Sequence, residues 1–534
     1  MPFLLLLLLT VACLPVKWPA PPDWVESFGS LVLSILGIDT PNRGAFLGST
    51  MLTWLGVALV TAMALAWTWH LRFRLARQPE RRNRFLHEHA AWRFYHLIGL
   101  FIVYGCALYV LGWGWAAQGG ATKGSAESPG VLGTELFILA PFLVGLVLAW
   151  AIFYDAERAL HDASPAGATP YWSRGACILF HARQNLALVF IPVLLLLTVN
   201  GLPRLLPEQE DGSQFLASGI TLAAALLVFV CMPWTIRLVL GLKPMPYGPL
   251  RDRLLAAAQR LHFRCSNILM WNTRGGVANA MVVGIVPFLR YVVLTDRLVS
   301  EMTPSEVEAV FGHEVGHIKH RHMIYYLAFL LLSLGVLAEL EMVIRENANW
   351  HSLPDLSSRQ DLAVLPMVAS LGAYIFLVFG FLSRRCERQA DIFGCRAVSC
   401  AQRDCVGHED GAALTPRGHG LCATGIHTFI NALEKVAYLN GISRDRPGWL
   451  QSWQHSTIAR RVAFLQRVLV DPAAESRFQR AVGLVKWALL LGLGTLLLFL
   501  GVSWGWDALS PFPNSGPQAP VSAPDTGART DLSE

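Results

Sequence analysis

A series of long, nearly uncharged apolar stretches constrains this chain most, near residues 46–69, 96–117, 134–154, 185–205, 217–240, 323–344, 362–382 and 484–505. A hydrocarbon core about 30 Å thick takes roughly 20 residues of helix to cross, and each run reaches that length. A single run could be the buried helix of a soluble domain, but a whole series argues against that. Composition agrees: 54% of residues are hydrophobic and 15% charged, against about 25% charged in ordinary soluble domains. The expected fold class is mainly α, a polytopic helical membrane protein. The 323–344 run is the weakest span, because Glu339 and Glu341 fall inside it. They mark either its outer end or a protein-lined cavity. Phe3 to Val16 covers only about 21 Å at 1.5 Å per residue, too short for a comfortable span. It reads as a leader or signal-anchor, although no Lys or Arg precedes it.

Charge predicts the orientation. Arg72, Arg74, Arg77, Arg81, Arg82, Arg84 and Arg93 crowd the connection from 70 to 95 and assign it to the cytoplasmic side. Alternation then puts Glu208, Glu210 and Asp211 outside, and 241–322 and 383–483 inside. The net charge of +6 thus reflects arginines near anionic headgroups. No basic stripe interleaved with aromatics is present, so the expected neighbours are a lipid bilayer and no nucleic acid.

Chemistry enters at His313-Glu314-Val315-Gly316-His317. In a helix, residues four apart share one face, so both imidazoles can reach a single ion. Zinc accepts imidazole nitrogen and takes three protein ligands at a catalytic site, leaving a fourth position for water. Glu314, rotated about 100° from His313, can face that water as a general base. The alternative is a buried or juxtamembrane helix carrying histidines with no ion. The helix itself is well signalled: Thr303-Pro304-Ser305-Glu306 reads as a capping box before the apolar Val307, Val310 and Phe311. A third histidine six residues past His317 would complete one known arrangement, but Met323 stands there. The best candidate lies in Ser383–Asp391, where Glu387 and Asp391 are four apart and share a helix face. Glu387 can complete a His2Glu site, and Asp391 can accept the free ring N–H of a histidine, most plausibly His313.

With these blocks in this order the chain resembles the M48 family of integral-membrane zinc metallopeptidases, which includes the HtpX quality-control protease and the CaaX prenyl protease. Asn279-Ala280 before Met281-Val282-Val283 looks like the family's edge strand, which pairs with an extended substrate backbone. His455-Ser456-Thr457 and Arg461 look like its late His-Pro…Arg segment, with Ser456 where proline is usual. The resemblance covers roughly residues 245–470. It implies one catalytic zinc, a zincin-type (gluzincin) domain with a small β region, His455 donating to the tetrahedral intermediate, and Arg461 near the site.

The expected organisation is a leader and short external segment (1–45), a multi-span region (46–242), and a peptidase domain (243–483) interrupted by spans at about 323–344 and 362–382. A C-terminal span (484–506) and a disordered tail (507–534) follow. The expected activity is zinc-dependent hydrolysis of membrane-associated protein or peptide substrates at the cytoplasmic face of a bacterial inner membrane, in membrane-protein quality control. Processing of a defined, lipidated peptide is the alternative, and a non-proteolytic zinc-fold sensor or scaffold is another. The last is disfavoured because a structural zinc has no need of Glu314.

Of the ten cysteines, Cys265, Cys386, Cys395, Cys400, Cys405 and Cys422 fall in the region expected to be cytoplasmic, where disulfides are disfavoured. Cys395, Cys400, Cys405 and Cys422, with His408 and His419, hold enough soft ligands for a second, structural zinc. Their spacing is not that of a standard finger, and the sequence favours reduced thiols on an inserted loop. His320 and His322 are expected to cap the motif helix at the headgroups rather than bind the catalytic ion.

Overall fold

The computed structural model describes residues 18–38, 43–118, 132–163, 171–188, 190–191, 213–347, 372, 374–400, 405, 407, 420–445 and 455–509. The expected leader, the 510–534 tail and most of the 185–205 and 362–382 runs lie outside these residues. The protein is mainly helical with one small sheet. Among the described residues four helices are long and apolar enough to cross a membrane: Gly44–Arg77, Pro79–Tyr109, Leu136–Asp162 and Pro472–Phe499. Leu226–Leu240 and His322–Ser333 are shorter apolar helices.

Helix α1 (Asp23–Ile35) lies against α2 (Gly44–Arg77), backbone to backbone. A Cβ on Gly29 would sit 1.9 Å from the Gly44 carbonyl oxygen, so only glycine permits this approach. Next, α2 turns into α3 (Arg82–Tyr109) through a single tight turn, Pro79–Arg81. The arginine-rich 70–95 segment is therefore two helix ends around that turn. Its side chains are engaged: Arg74 pairs with Glu88 at 2.8 Å, and Arg82 donates to the Leu160 carbonyl at 2.6 Å. Leu160 belongs to α4 (Leu132–Asp162), the third long apolar helix.

After α5 (Arg174–His181) and α6 (Ser213–Leu240), the chain builds a four-stranded sheet in the order β1-β2-β4-β3. The strands are β1 (Lys243–Pro244), β2 (Asn267–Trp271), β3 (Ala280–Val283) and β4 (Tyr291–Thr295). Only β2 and β4 run parallel, and every residue of β4 is buried, as its unbroken apolar run demands. Three helices back the sheet: α7 (Pro249–Arg260), α8 (Asp296–Glu301) and α9 (Pro304–Lys319). Their core joins Leu254, Ile268, Val292, Leu294, Leu298 and Phe311. The buried Glu308 carboxylate, on α9, accepts from Arg253 at 2.6 Å and from Arg260, both on α7.

Past α10 (His322–Asn347) come α11 (Gly380–Ala397), α12 (Ala423–Leu439), α13 (Ile458–Val470) and α14 (Pro472–Leu509). The described residues up to Met323 and those from Gly372 to Gln479 form one compact unit. Ile324–Ala348 and Arg480 onward form a second, in which Leu496 packs against Gly335 and Leu332 against Gly492.

Phe311 is fully buried and meets the Phe263 ring edge-on at 6.1 Å. Phe311→Ala should cost about 3–5 kcal/mol, the usual scale for an emptied aromatic site. Thermal unfolding in detergent checks this, and an unchanged midpoint would show that the sheet–helix core does not depend on that ring.

Candidate active site

Helix α9 begins as its sequence dictates. Thr303 caps it, with the Glu306 N–H donating to Thr303 Oγ1 at 3.3 Å and the Thr303 N–H donating to Glu306 Oε2 at 2.8 Å. Two turns later the helix presents His313 and His317, whose Nε2 atoms lie 3.3 Å apart. Facing them is α11. A Cβ on Gly312 would fall 2.3 Å from Ala397 Cβ, and one on Gly316 would fall 2.9 Å from Phe393 Cβ. Glycine at both positions lets the helices approach until Glu387 reaches the histidines. Its Oε2 is 3.7 Å from His313 Nε2, and its Oε1 is 3.6 Å from His317 Nε2.

These three separations test the fit for an ion. Ligands at about 2.0–2.1 Å around tetrahedral zinc stand about 3.4 Å from one another. The observed triangle of 3.3, 3.6 and 3.7 Å needs little contraction, so the donor set and spacing fit zinc. Burial, with the neighbouring His313, pushes His317 down to about 4, so its imidazole is neutral at pH 7 and keeps a lone pair for a metal.

Behind the triangle lies a buried charge network. Asp391, one turn after Glu387, has no exposed surface and sets Oδ1 3.1 Å from His313 Nδ1. The separation is that of a hydrogen bond, but the N–H is poorly aligned on the oxygen, so the contact is mainly electrostatic. Arg461, on α13, grips the same carboxylate with two nitrogens: Nε donates to Oδ2 at 2.9 Å, and Nη2 donates to Oδ1. Its Nη1 is 3.5 Å from Glu387 Oε2. Burial alone would raise the Asp391 pKa, but the Arg461 charge outweighs it and holds the carboxyl below its ordinary range. Burial opposes the Glu387 charge too, and the hydrogen bond and charge of His455, then Arg461, hold it well below the usual value.

His455 sets Nδ1 3.1 Å from Glu387 Oε1 while most of its ring stays exposed. The next residue, Ser456, has φ of 64°. Proline, whose ring fixes φ near −65°, cannot adopt that turn, so the backbone carrying His455 differs here from any His-Pro turn. Thr457 then caps α13 and brings Arg461 inward.

Glu314 points to the opposite side, toward the sheet edge. Its Oε2 accepts the Val282 N–H at 3.2 Å, and burial pushes its carboxyl up to about 7. The register explains the contact. Asn279 spends its N–H on Thr295 Oγ1 at 2.8 Å and its carbonyl on the Thr295 N–H at 3.0 Å. In an antiparallel pair such bonded positions alternate, so Ala280 and Val282 turn their backbone groups away from β4. Of the two residues expected to meet an extended chain, Ala280 thus turns its backbone groups away from β4 and Asn279 does not, and Val282, in the same run, faces outward with Ala280.

His322 also sits elsewhere than expected. Helix α9 stops at Lys319, and Arg321 turns through φ of 56°. That turn folds His322 back, fully buried, with Nδ1 2.9 Å from His317 Nδ1 and Nε2 3.2 Å from Gln389 Oε1. It braces His317 rather than capping a helix at the headgroups. Elsewhere, Cys400, Cys405 and Cys422 converge, whereas Cys395 does not join them.

Residues 249–464 match the model of Peptidase family M48. A CAAX prenyl protease 1 homolog of Dictyostelium discoideum is 30% identical over 156 residues, 27% of this chain and 36% of that protein. A Protease HtpX homolog of Pyrobaculum calidifontis is 31% identical over 178 residues, 32% of this chain and 49% of that protein. The matched region thus spans between about a third and a half of these relatives' length. The crystal structure of Ste24p from S. mikatae aligns over 77% of this chain and 98% of its own at 14% identity and a TM-score of 0.49.

The geometry offers Glu387 as a candidate ligand and Asp391 as a support behind His313. Glu387→Ala should lose bound zinc outright, whereas Asp391→Asn should weaken its affinity by roughly 10–100-fold, the scale for a partner behind a ligand. Elemental analysis and competition with a chelator read the two effects. Equal zinc in wild type and Glu387→Ala would remove Glu387 from the ligand set.

Proposed function

We propose, on the premise that this chain is a member of peptidase family M48 through its residues 249–464, that it is a zinc-dependent membrane endopeptidase. The observation carrying this reading is the His313–His317–Glu387 triangle, with Glu314 held between it and an open strand edge. In this proposal those three residues hold the zinc, which when bound polarises a scissile carbonyl and lowers the pKa of water. Glu314 takes a proton from the attacking water and returns it to the leaving amine. Ala280 and Val282 pair with the substrate backbone, as an unpaired strand edge does. His455, exposed at the mouth of the site, donates to the oxyanion. Asp391 and Arg461 position His313 and Glu387.

For the substrate, we favour membrane-associated proteins cleaved in quality control at the cytoplasmic face. An edge of this kind would read backbone rather than one side chain, and the positive-inside bias of the arginine-rich turn supports the cytoplasmic face. The CAAX prenyl protease relative favours a second reading, processing of a lipidated peptide. Parallel assays on an unfolded membrane protein and a farnesylated peptide separate the two by their kcat/KM.

Two results are expected. Glu314→Gln should abolish hydrolysis while zinc content stays near that of wild type, because the amide cannot take a proton; activity within a few-fold of wild type would dismiss Glu314 as base. Single cysteines replacing the exposed Arg81 and Ser300 in a cysteine-free chain should both resist a membrane-impermeant thiol reagent in intact cells. Both should react after permeabilisation. Reaction of only one in intact cells would put the arginine-rich turn and the zinc domain on opposite sides.

A further inference from the structure

Between α11 and α12 lies a group of side chains that the hydrolytic chemistry does not use. Cys400, Cys405 and Cys422 are each buried, and their sulfurs lie within 4.8 Å of one another without being joined in a disulfide. We propose that these three residues bind a structural zinc ion, separate from the ion at His313, His317 and Glu387.

Sulfurs at about 2.3 Å from tetrahedral zinc stand about 3.8 Å apart, so the cluster would close by less than about 1 Å per pair. Three thiols could instead be small core hydrophobes, but their hydrogen bonding argues otherwise. Cys422 occupies the N-cap of α12, a 17-residue helix, and its Sγ accepts the Gly425 N–H at 3.2 Å. The Gly425 N–H and the first turn of α12 thus both meet the Cys422 sulfur, leaving it directed at the other two sulfurs, and sulfur is a ligand zinc takes. Thr424 donates its hydroxyl to the Cys405 carbonyl at 2.9 Å and lies 3.5 Å from Cys405 Sγ; the single proton favours the carbonyl. Ser399 Oγ accepts the Cys422 N–H at 3.2 Å and donates to the Cys395 carbonyl at 2.8 Å. It thereby fixes the cap against the end of α11. A Cβ on Gly425 would meet Ser399 Oγ at 2.2 Å and the Cys395 carbonyl oxygen at 2.9 Å, so glycine there lets the start of α12 close on the end of α11. The three sulfurs fill three of the four positions zinc takes, and binding releases the protons of the thiols. Such an ion would tie the end of α11, which carries Glu387 and Asp391, to the start of α12, whose Phe429 stacks on His313 at 5.8 Å.

The test uses the full chain purified in detergent under reducing conditions, with zinc counted by elemental analysis. Wild type should hold two zinc ions, Cys405→Ser one, His317→Ala one, and the combination none. Cobalt-substituted wild type should show thiolate-to-cobalt charge-transfer absorption that survives His317→Ala and disappears in Cys405→Ser. If Cys405→Ser fails to fold, the spectra of wild type and His317→Ala decide the matter. One zinc in wild type with none in His317→Ala, or a disulfide among the three cysteines in peptide maps, overturns the proposal. One zinc that survives His317→Ala but not Cys405→Ser upholds it, and overturns the catalytic-zinc reading instead.

Discussion

The site depends on the grip of Arg461 on Asp391. Both groups are buried, and together they join three helices: α13 supplies the guanidinium, α11 the carboxylate, and α9 the His313 ring resting on it. Removing charges from water is costly, and removing one partner of such a pair strands the other, at about 3–5 kcal/mol. The arrangement is therefore all or none. With Asp391 anchored on one side by Arg461, its charge lies against the Nδ1 edge of His313 while Nε2 faces Glu387. Glu387 benefits from the same cation, 3.5 Å away.

Much of this was legible in the sequence because it is written in local spacing. The capping box at Thr303–Glu306 fixed where α9 starts, and the four-residue intervals put His313 with His317 and Glu387 with Asp391. Positions set by tertiary turns were not legible. His322 depends on the left-handed turn at Arg321, and a non-glycine residue there gave no warning. The phase of β3, which separates Ala280 and Val282 from Asn279, follows from pairing with β4. The arginines of 70–95 marked where two apolar stretches meet, but not that helix continues through the connection, because charge reports environment rather than backbone conformation. Among the cysteines, spacing alone could not separate Cys395, buried along α11, from the three that converge beyond its end.

Glycine spacing is the quieter requirement. Gly312 and Gly316 alternate with His313 and His317 along α9, so one helix offers bare backbone to α11 and imidazoles to the candidate metal site from adjoining stripes. Gly394 does the same from the other side, where a Cβ would meet Phe429 at 2.6 Å. A side chain at Gly312 or Gly316 would push α9 from α11 and so draw His313 and His317 away from Glu387.

The contact between Glu314 and the Val282 N–H has a consequence for solubility as well as reactivity. β3 is a short, apolar edge, and such an edge invites another strand to add to it. Here a carboxylate from the neighbouring helix plugs the donor that an incoming chain would need. An extended peptide that pairs at Val282 has to displace that carboxylate, and the displaced group is the base of the proposed reaction. The strand is thus shielded from stray partners at rest, and docking itself sets the base free.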